Sequence, residues 1–146
     1  MLTIIEIKPN EDYSVSADIR KTVFVEEQGI PVEDEMDEHD AFAWHIVLFA
    51  DGIPAGSGRI YIENNTAKLG RVAVLKHERG KGYATVICKA LSDVAKRENA
   101  TLVTLNSQSY VASLYDKLGF VRCGAEFLEE GIPHIKMDMN LEKSIE

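Results

Sequence analysis

Apolar residues recur along this chain with two different spacings, and the order of the segments with each spacing predicts the secondary structure. Short β-branched or alternating runs bounded by turn residues indicate strands, whereas apolar positions three and four residues apart indicate helices. In the run 84–95, for example, Ala84, Ile87, Leu91 and Val94 share one helical face. The pattern predicts strands at Leu2–Lys8, Trp44–Ala50, Ile53–Ile62, Lys68–Leu75 and Thr101–Asn106, helices at Val15–Glu27 and 84–95, and then a short helix and two last strands.

The order of these elements predicts an α+β (mixed α/β) fold in a single domain, residues 1–146. Asp51-Gly52 and Asn64-Asn65 are typical of tight turns, so the three strands around them are expected to form an antiparallel meander. A strand, a helix and a strand follow, which gives one βα unit in the middle of the sheet. A chain of 146 residues is long enough to bury a single core without disulfides or a metal.

The segment before the long helix is the strongest candidate for ligand binding. Gly80 and Gly82 fall where the chain must turn, and a helix N-terminus offers free N–H groups and a partial positive charge to an anion. The chain carries a formal net charge of −8, yet four basic residues surround this turn: Lys76, His77, Arg79 and Lys81. The pattern indicates a phosphorylated ligand, and an ordinary glycine-bearing turn is the alternative.

Two common phosphate motifs do not fit this turn. A P-loop needs Ser or Thr after Gly-Lys, but Gly82 follows Gly80-Lys81. A dinucleotide fingerprint needs a third glycine, where this chain has Thr85.

The sequence instead resembles the GNAT superfamily of acyl-CoA N-acyltransferases in two motifs. Arg79-x-x-Gly82-x-Ala84 resembles the Gln/Arg-x-x-Gly-x-Gly/Ala signature of that family, and the later Tyr115-x-x-x-Gly119-Phe120 resembles its Tyr-x-x-x-Gly-Phe signature. Two further segments are similar to the small bacterial ElaA-like branch: Phe24–Gln28 and Gly131–His134.

This resemblance implies a central, mostly antiparallel twisted sheet flanked by helices, and an acetyl-CoA-dependent N-acetyltransferase whose primary amine substrate attacks the thioester directly. It implies that Tyr115 protonates the departing thiolate, since a phenol with an ordinary pKa of about 10 is protonated at neutral pH. Packing on the sheet is the alternative role of Tyr115. The cofactor-binding residues that the resemblance implies are Val72, Ala73, Val74, Arg79, Gly80, Lys81, Gly82, Tyr83, Ala84, Asn106 and Ser113. For Asn106, a turn or helix N-cap role is the alternative.

Several residues are candidates for acceptor binding or for a general base: Glu26, Glu35, Asp37 and His134, with His45 interpreted as structural. Deprotonation of the amine through water is an alternative to a dedicated base, and a hydrogen bond to a neighbouring loop is an alternative role for His134. The segment 32–40 is the most acidic in the chain. Such a block is typical of a solvated loop, and the alternative is a rim that attracts a cationic amine.

Composition excludes several other classes. The acidic balance argues against general nucleic-acid binding. No apolar run is long enough to span a bilayer and no signal-peptide pattern is present, so we expect a cytoplasmic protein without a membrane partner. Cys88 and Cys123 lack metal or redox spacing; Cys88 is expected to be a buried free thiol, and no metal is expected.

The expected partner is a small-molecule or peptide amine, and a homodimer is left open. The competing hypothesis is a non-catalytic acyl-CoA-binding or sensing module that keeps the cleft without amine chemistry.

Overall fold

The computed structural model describes residues 1–142, which form one seven-stranded sheet with helices packed against it. The strands are β1 (Leu2–Ile7), β2 (Trp44–Ala50), β3 (Ile53–Glu63), β4 (Thr66–Val74), β5 (Leu102–Gln108), β6 (Val121–Glu129) and β7 (Ile132–Asn140). Their order in the sheet is β1-β2-β3-β4-β5-β7-β6, and the pair β4-β5 is parallel whereas the other neighbouring pairs are antiparallel. The predicted α+β class and mostly antiparallel sheet are confirmed.

The hairpins close through turns that the local sequence specifies. Asp51-Gly52 has φ of 50° and 80°, and Asn64-Asn65 has φ of 50° and 65°. Positive φ at both central residues is the geometry of a type I′ turn, whose twist matches that of the flanking strands. Glu130-Gly131, between β6 and β7, has φ of 51° and 72° and makes a third such turn.

The helices are α1 (Ser14–Arg20), α2 (Val32–Glu35), α3 (Tyr83–Arg97) and α4 (Ala112–Lys117). The single helix expected at Val15–Glu27 is α1 followed by a π-helix, Lys21–Glu27, in which the amide of Gln28 donates to the carbonyl of Val23 at 3.2 Å. The acidic segment, expected to be a loop, contains α2 and a 3₁₀ turn, Glu38–Phe42. No helix within residues 1–142 has the length and apolar composition needed to cross a membrane.

Two apolar clusters cover opposite faces of the sheet. Ile46 and Leu48 of β2 pack in the cluster of α3, whereas Val47 between them packs with α1 and the π-helix. On the first face, a Cβ atom built on Gly58 would lie 2.8 Å from Ile87 and from Leu91. The missing side chain therefore allows α3 to pack directly on the backbone of β3.

The two parallel strands in the centre of the sheet separate along their length. β4 and β5 pair at three positions, from Thr66 opposite Leu102 to Lys68 opposite Thr104. Beyond these, β4 continues to Val74 and β5 to Gln108 without pairing between them in the described residues. The gap between the diverging strands is a cleft in the middle of the sheet.

Candidate functional site

The cleft between β4 and β5 has a volume of about 1230 Å³. Ordinary small-molecule pockets occupy roughly 300–1,000 Å³, so this cleft is large enough for an extended ligand or for two ligands. Its walls come from Leu69–Val74 of β4 and from 105–108 of β5. The start of α3, the buried face of α4, the segment after the π-helix and the β6-β7 hairpin complete it.

The glycine turn before α3 lies at this cleft. Gly80 and Gly82 have φ of +79° and +80°, a left-handed conformation that costs little only for glycine. Gly82 is the N-cap of α3 and has no side chain to satisfy the first N–H groups of the helix. Apart from the glycine itself and its two chain neighbours, no heavy atom of residues 1–142 lies within 4 Å of where a Cβ would stand on either glycine. The turn therefore presents bare backbone donors to the cleft, as an anion site requires.

Two of the basic residues of the turn, Arg79 and Lys81, pair with carboxylates. The Nε atom of Arg79 donates to the carbonyl of Val74 at 2.9 Å, and its two Nη atoms donate to the carboxylate of Glu27 at 2.6 and 2.8 Å. Lys81 contacts Glu78 at 3.2 Å. Arg79, Tyr83 and Ala84 line the cleft with the two glycines, whereas Lys81 is outside the set of lining residues.

The strand β4 contains a bulge that the sequence pattern did not predict. Ser57 of β3 pairs with Ala73 and Arg59 pairs with Gly70, so Arg71 and Val72 together face the single residue Gly58. Arg71 has a φ of +54°. From this bulge onward, Val72, Ala73 and Val74 line the cleft, on the edge of β4 that has left β5.

Tyr115 projects from α4 into the lining of the cleft and is 7% exposed. Its ring meets that of Phe120 edge-on, with centroids 5.8 Å apart. Burial, and then the neighbouring Cys88, raise the pKa of the phenol well above its usual value of 10, so the hydroxyl carries its proton at neutral pH. Burial likewise raises the pKa of the Cys88 thiol to about 12. A thiol of that kind is a poor nucleophile, because the thiolate is the reactive form.

Asn106 and Ser113 have different positions relative to the cleft. Asn106 lies inside β5, opposite Lys136 of β7, and lines the cleft. The alternative turn or N-cap role is wrong for Asn106, because β5 continues two residues further and Val111 is the N-cap of α4. Ser113 is exposed on α4 and is outside the set of lining residues.

The acidic segment is bound by three arginines. Arg20 of α1, which is fully buried, donates to Glu35 at 2.9 Å and to Asp40 at 2.6 Å. Arg59 of β3 holds Asp37 through two bonds of 2.7 and 2.8 Å. Arg71 contacts the carboxylates of Glu35 and Asp37, each at 3.2 Å.

These ion pairs change the interpretation of the segment. The solvated-loop interpretation is wrong for Glu35 and Asp40, which are 3% and 1% exposed. Burial raises the pKa of Glu35 despite its arginine neighbours. Burial acts in the same direction on Asp37, but the hydrogen bonds and charges of Arg59 and Arg71 prevail and lower its pKa to about 2. Glu35 and Asp37 line the cleft with their charges already paired.

The remaining candidate residues for acceptor binding differ in whether they line the cleft. His134 lines the cleft, with Nδ1 2.6 Å from the carbonyl of Ile132 and Nε2 3.3 Å from Glu129. Glu26 is outside the lining. His45 is buried away from the cleft and stacks on Tyr13 at 4.7 Å, and burial lowers its pKa, which supports its structural interpretation.

The cleft also contains polar residues that the sequence analysis did not assign. The side-chain amide of Gln108 donates to the side-chain oxygen of Gln28 at 3.0 Å. Gln108 ends β5, and Gln28 follows the π-helix. Gln28 belongs to the segment that carries the family resemblance, which was the available signal, whereas no sequence pattern singled out Gln108. Within residues 1–142, no group of three or more His, Cys, Asp and Glu side chains is arranged to hold a metal ion.

Solved structures with the same architecture define the fold. The chain superposes on Escherichia coli ElaA with a TM-score of 0.85 at 23% identity, covering 96% of this chain and 100% of that one. It superposes on a Bacillus subtilis acetyltransferase in complex with CoA with a TM-score of 0.75 at 18% identity, covering 97% and 100%. The fold is therefore that of the GNAT acyl-CoA N-acyltransferases.

Sequence comparison identifies the family itself. The family model of the acetyltransferase (GNAT) domain matches residues 20–141. The chain is 39% identical over 120 residues to the uncharacterized N-acetyltransferase YjcF of Bacillus subtilis, covering 82% of this chain and 86% of that protein. It is 37% identical over 139 residues to a second Bacillus subtilis protein, named as a candidate acetyltransferase, covering 93% and 95%. The chain belongs to the GNAT acetyltransferase family.

Proposed function

We propose that this protein is an acetyl-CoA-dependent N-acetyltransferase that transfers the acetyl group to a primary amine by direct attack on the thioester. The observation that carries the proposal is the cleft between β4 and β5, which combines a bare glycine turn at the start of α3 with the protonated phenol of Tyr115. A phosphate site and a proton donor in one cleft suit a thioester donor with a diphosphate. Membership of the GNAT family supports the same activity.

The residues present fit acetyl-CoA. Gly80 and Gly82 leave open space where the diphosphate would approach the N–H groups of α3. The free edge of β4 at 72–74 offers backbone groups to the pantetheine arm, and Asn106 faces the same space from β5. When bound, acetyl-CoA supplies an acyl group that is activated as a thioester.

The side chains of the cleft support specific routes for the proton transfers. Tyr115 donates its proton to the sulfur that leaves, because its raised pKa keeps the hydroxyl protonated. A covalent acyl-enzyme on Cys88 is disfavoured, since that thiol is buried and its pKa is raised to about 12. Amine deprotonation proceeds through water or through His134, a cleft-lining histidine whose Nε2 lies near Glu129.

Cleft-lining carboxylates that no arginine holds favour an amine as the acceptor. Asp34 of α2 and the hairpin residues Glu129 and Glu130 line the cleft. Loss of hydration, and then the neighbouring charges of Asp34 and Glu129, raise the pKa of Glu130. A cation relieves such repulsion, so a positively charged amine is attracted to this side of the cleft.

A thiol-release assay with acetyl-CoA and a panel of amines tests this function, beside calorimetric titration with CoA. Turnover with primary amines, and none with the matching alcohols, is the expected result. Absence of CoA binding would exclude the proposed function.

One observation favours the non-catalytic acyl-CoA-binding module instead. Glu35 and Asp37, two of the three carboxylates that the sequence offered for the acceptor, are engaged by arginines and are not free to take a proton from an amine. CoA binding without turnover on any amine in the panel would support the module.

A further inference from the structure

Arg71 has a backbone conformation that arginine rarely adopts. Its φ of +54° is left-handed, and outside glycine the left-handed region is favoured mainly by Asn and Asp. The other non-glycine residues with positive φ in residues 1–142 lie in turns, loops or at a helix end, whereas Arg71 lies within a β-strand. Contacts elsewhere must hold this conformation in place.

The bulge at Arg71 decides which side chains of β4 face α3. Before it, Ala67 and Leu69 belong to the apolar cluster of α3. After it, Val72 and Val74 pack against that cluster, and Ala73 joins the cluster of α1 on the opposite face. Strict alternation would have placed Ala73 with Leu69. The extra residue thus reverses the orientation of the segment 72–74, which lines the cleft.

The guanidinium of Arg71 is fixed from the acidic segment. Its Nε atom lies 3.2 Å from both the carbonyl and the carboxylate of Glu35, and its Nη2 atom lies 3.2 Å from Asp37. These acids are themselves held by Arg20 of α1 and Arg59 of β3. The side chain at the bulge is therefore tied to two further elements of the fold through residues 35 and 37.

We propose that Arg71 is a positioning residue of the cofactor cleft: Glu35 and Asp37 hold its side chain, and this clamp keeps the bulge that orients residues 72–74. The inference rests on the proposed use of acetyl-CoA for its functional consequence, though not for its structural part. It also assigns Glu35 and Asp37 a role other than binding the acceptor amine, because three carboxylates and three guanidinium groups already balance one another here.

Two substitutions distinguish the effect of losing the clamp from the effect of the backbone strain. Arg71→Ala removes the clamp and keeps a side chain that disfavours positive φ, whereas Arg71→Gly removes the clamp and relieves the strain. We expect Arg71→Gly to unfold at a higher temperature than Arg71→Ala. Both variants should nevertheless bind CoA more weakly and show shifted backbone amide NMR signals at Val72 and Ala73.

The kinetic readout separates positioning from simple stability. A misplacement of about 1 Å by a mutation away from the reacting atoms can cost about 10²-fold in rate, and we expect a fall of that order in kcat at saturating acetyl-CoA. Arg71→Lys, which keeps the charge, should recover part of the loss. Arg97→Ala is the matched control: Arg97 pairs with Glu6 at 2.7 Å and stacks on Trp44, outside the cleft.

The two proposals fail differently. If the wild-type protein binds no CoA, the acetyltransferase function is overturned. The amide signals of the Arg71 variants would still show whether the clamp holds the bulge. Arg71→Gly with wild-type CoA affinity and unchanged signals at Val72 and Ala73 would overturn the clamp. Because Arg71→Gly relieves strain, it remains informative if Arg71→Ala does not fold.

Discussion

Glu27 receives two hydrogen bonds from Arg79, at 2.6 and 2.8 Å, so the end of the π-helix is joined to the glycine turn before α3. Arg79 is the residue that opens the family signature. In this arrangement its positive charge is directed at a carboxylate of the protein itself. An incoming diphosphate would therefore compete with Glu27 for the same guanidinium.

Replacing Glu27 with Gln should tighten CoA binding. Loss of the carboxylate leaves Arg79 with an uncompensated charge, and exposed ion pairs of this kind are worth about 0.2–1 kcal/mol, which corresponds to at most about a fivefold change in affinity. The gain should shrink as salt is added. Calorimetry with CoA at two salt concentrations measures it, and Glu6→Gln, which breaks the remote pair with Arg97, is the control. Weaker binding by Glu27→Gln would mean that Glu27 orients Arg79 rather than competing for it.

The bare backbone at Gly82 can be tested against a glycine of the same conformation. Gly82 and Gly52 both have a φ of +80°. Apart from its own atoms and its two chain neighbours, neither has a heavy atom of residues 1–142 within 4 Å of a built Cβ. Alanine at either position should cost about 1–2 kcal/mol of unfolding free energy, because left-handed φ disfavours a side chain. Only Gly82→Ala should also weaken CoA binding, since only that Cβ stands at the cleft. Equal CoA affinity of the two variants would show that this turn does not bind the diphosphate of CoA.

The sequence predicted the elements whose geometry depends on nearby residues. The turns at Asp51-Gly52 and Asn64-Asn65 follow from local backbone preferences, and Gly119 has a φ of +99° after α4, a conformation that glycine commonly adopts at helix ends. The bulge at Arg71 could not be predicted in this way. Its conformation is tied to Glu35 and Asp37, more than thirty residues away, and periodicity carries no record of that contact.

The same limit applied to the site. Arg79, Gly82 and Tyr115 belong to motifs with a fixed spacing, so the sequence could assign them, and the structure brings all three to one cleft. The acidic segment was interpreted wrongly as a solvated loop because its arginine partners come from α1, β3 and β4. Charge in the sequence shows that carboxylates are present, but only the fold shows which of them are already paired.

Tyr115→Phe removes the hydroxyl and keeps the ring that packs on Phe120. General-acid catalysis typically contributes about 10²–10⁴ in rate, so kcat should fall by that factor while CoA affinity stays the same. In the parent protein, activity should not decline through Tyr115 ionisation below pH 10, because burial raises the pKa of this phenol.

Steady-state kinetics between pH 6 and 10 measure both the fall in kcat of Tyr115→Phe and the pH dependence of the parent protein. The range ends near the ordinary phenol pKa of about 10. Tyr13→Phe, whose ring stacks on His45 outside the cleft, should keep the parent rate. Unchanged kcat in Tyr115→Phe, with the chemical step limiting, would leave Tyr115 a packing residue.

Asp37→Asn should destabilise the protein in a pH-dependent way. The pKa of Asp37 is about 2 in the folded protein and 3.8 ordinarily, so its charged form stabilises the fold above about pH 4 and that stability is lost as the pH falls toward 2. The shift corresponds to at most about 2 kcal/mol at neutral pH, less where solvent reaches the carboxylate. Urea unfolding of both proteins between pH 7 and pH 2 should show a difference that narrows on acidification. Asp93→Asn, on the exposed face of α3, should change the unfolding free energy by less than about 0.5 kcal/mol throughout. A difference for Asp37→Asn that widens as the pH falls would show that Asp37 is not stabilised by Arg59 and Arg71 in its charged form.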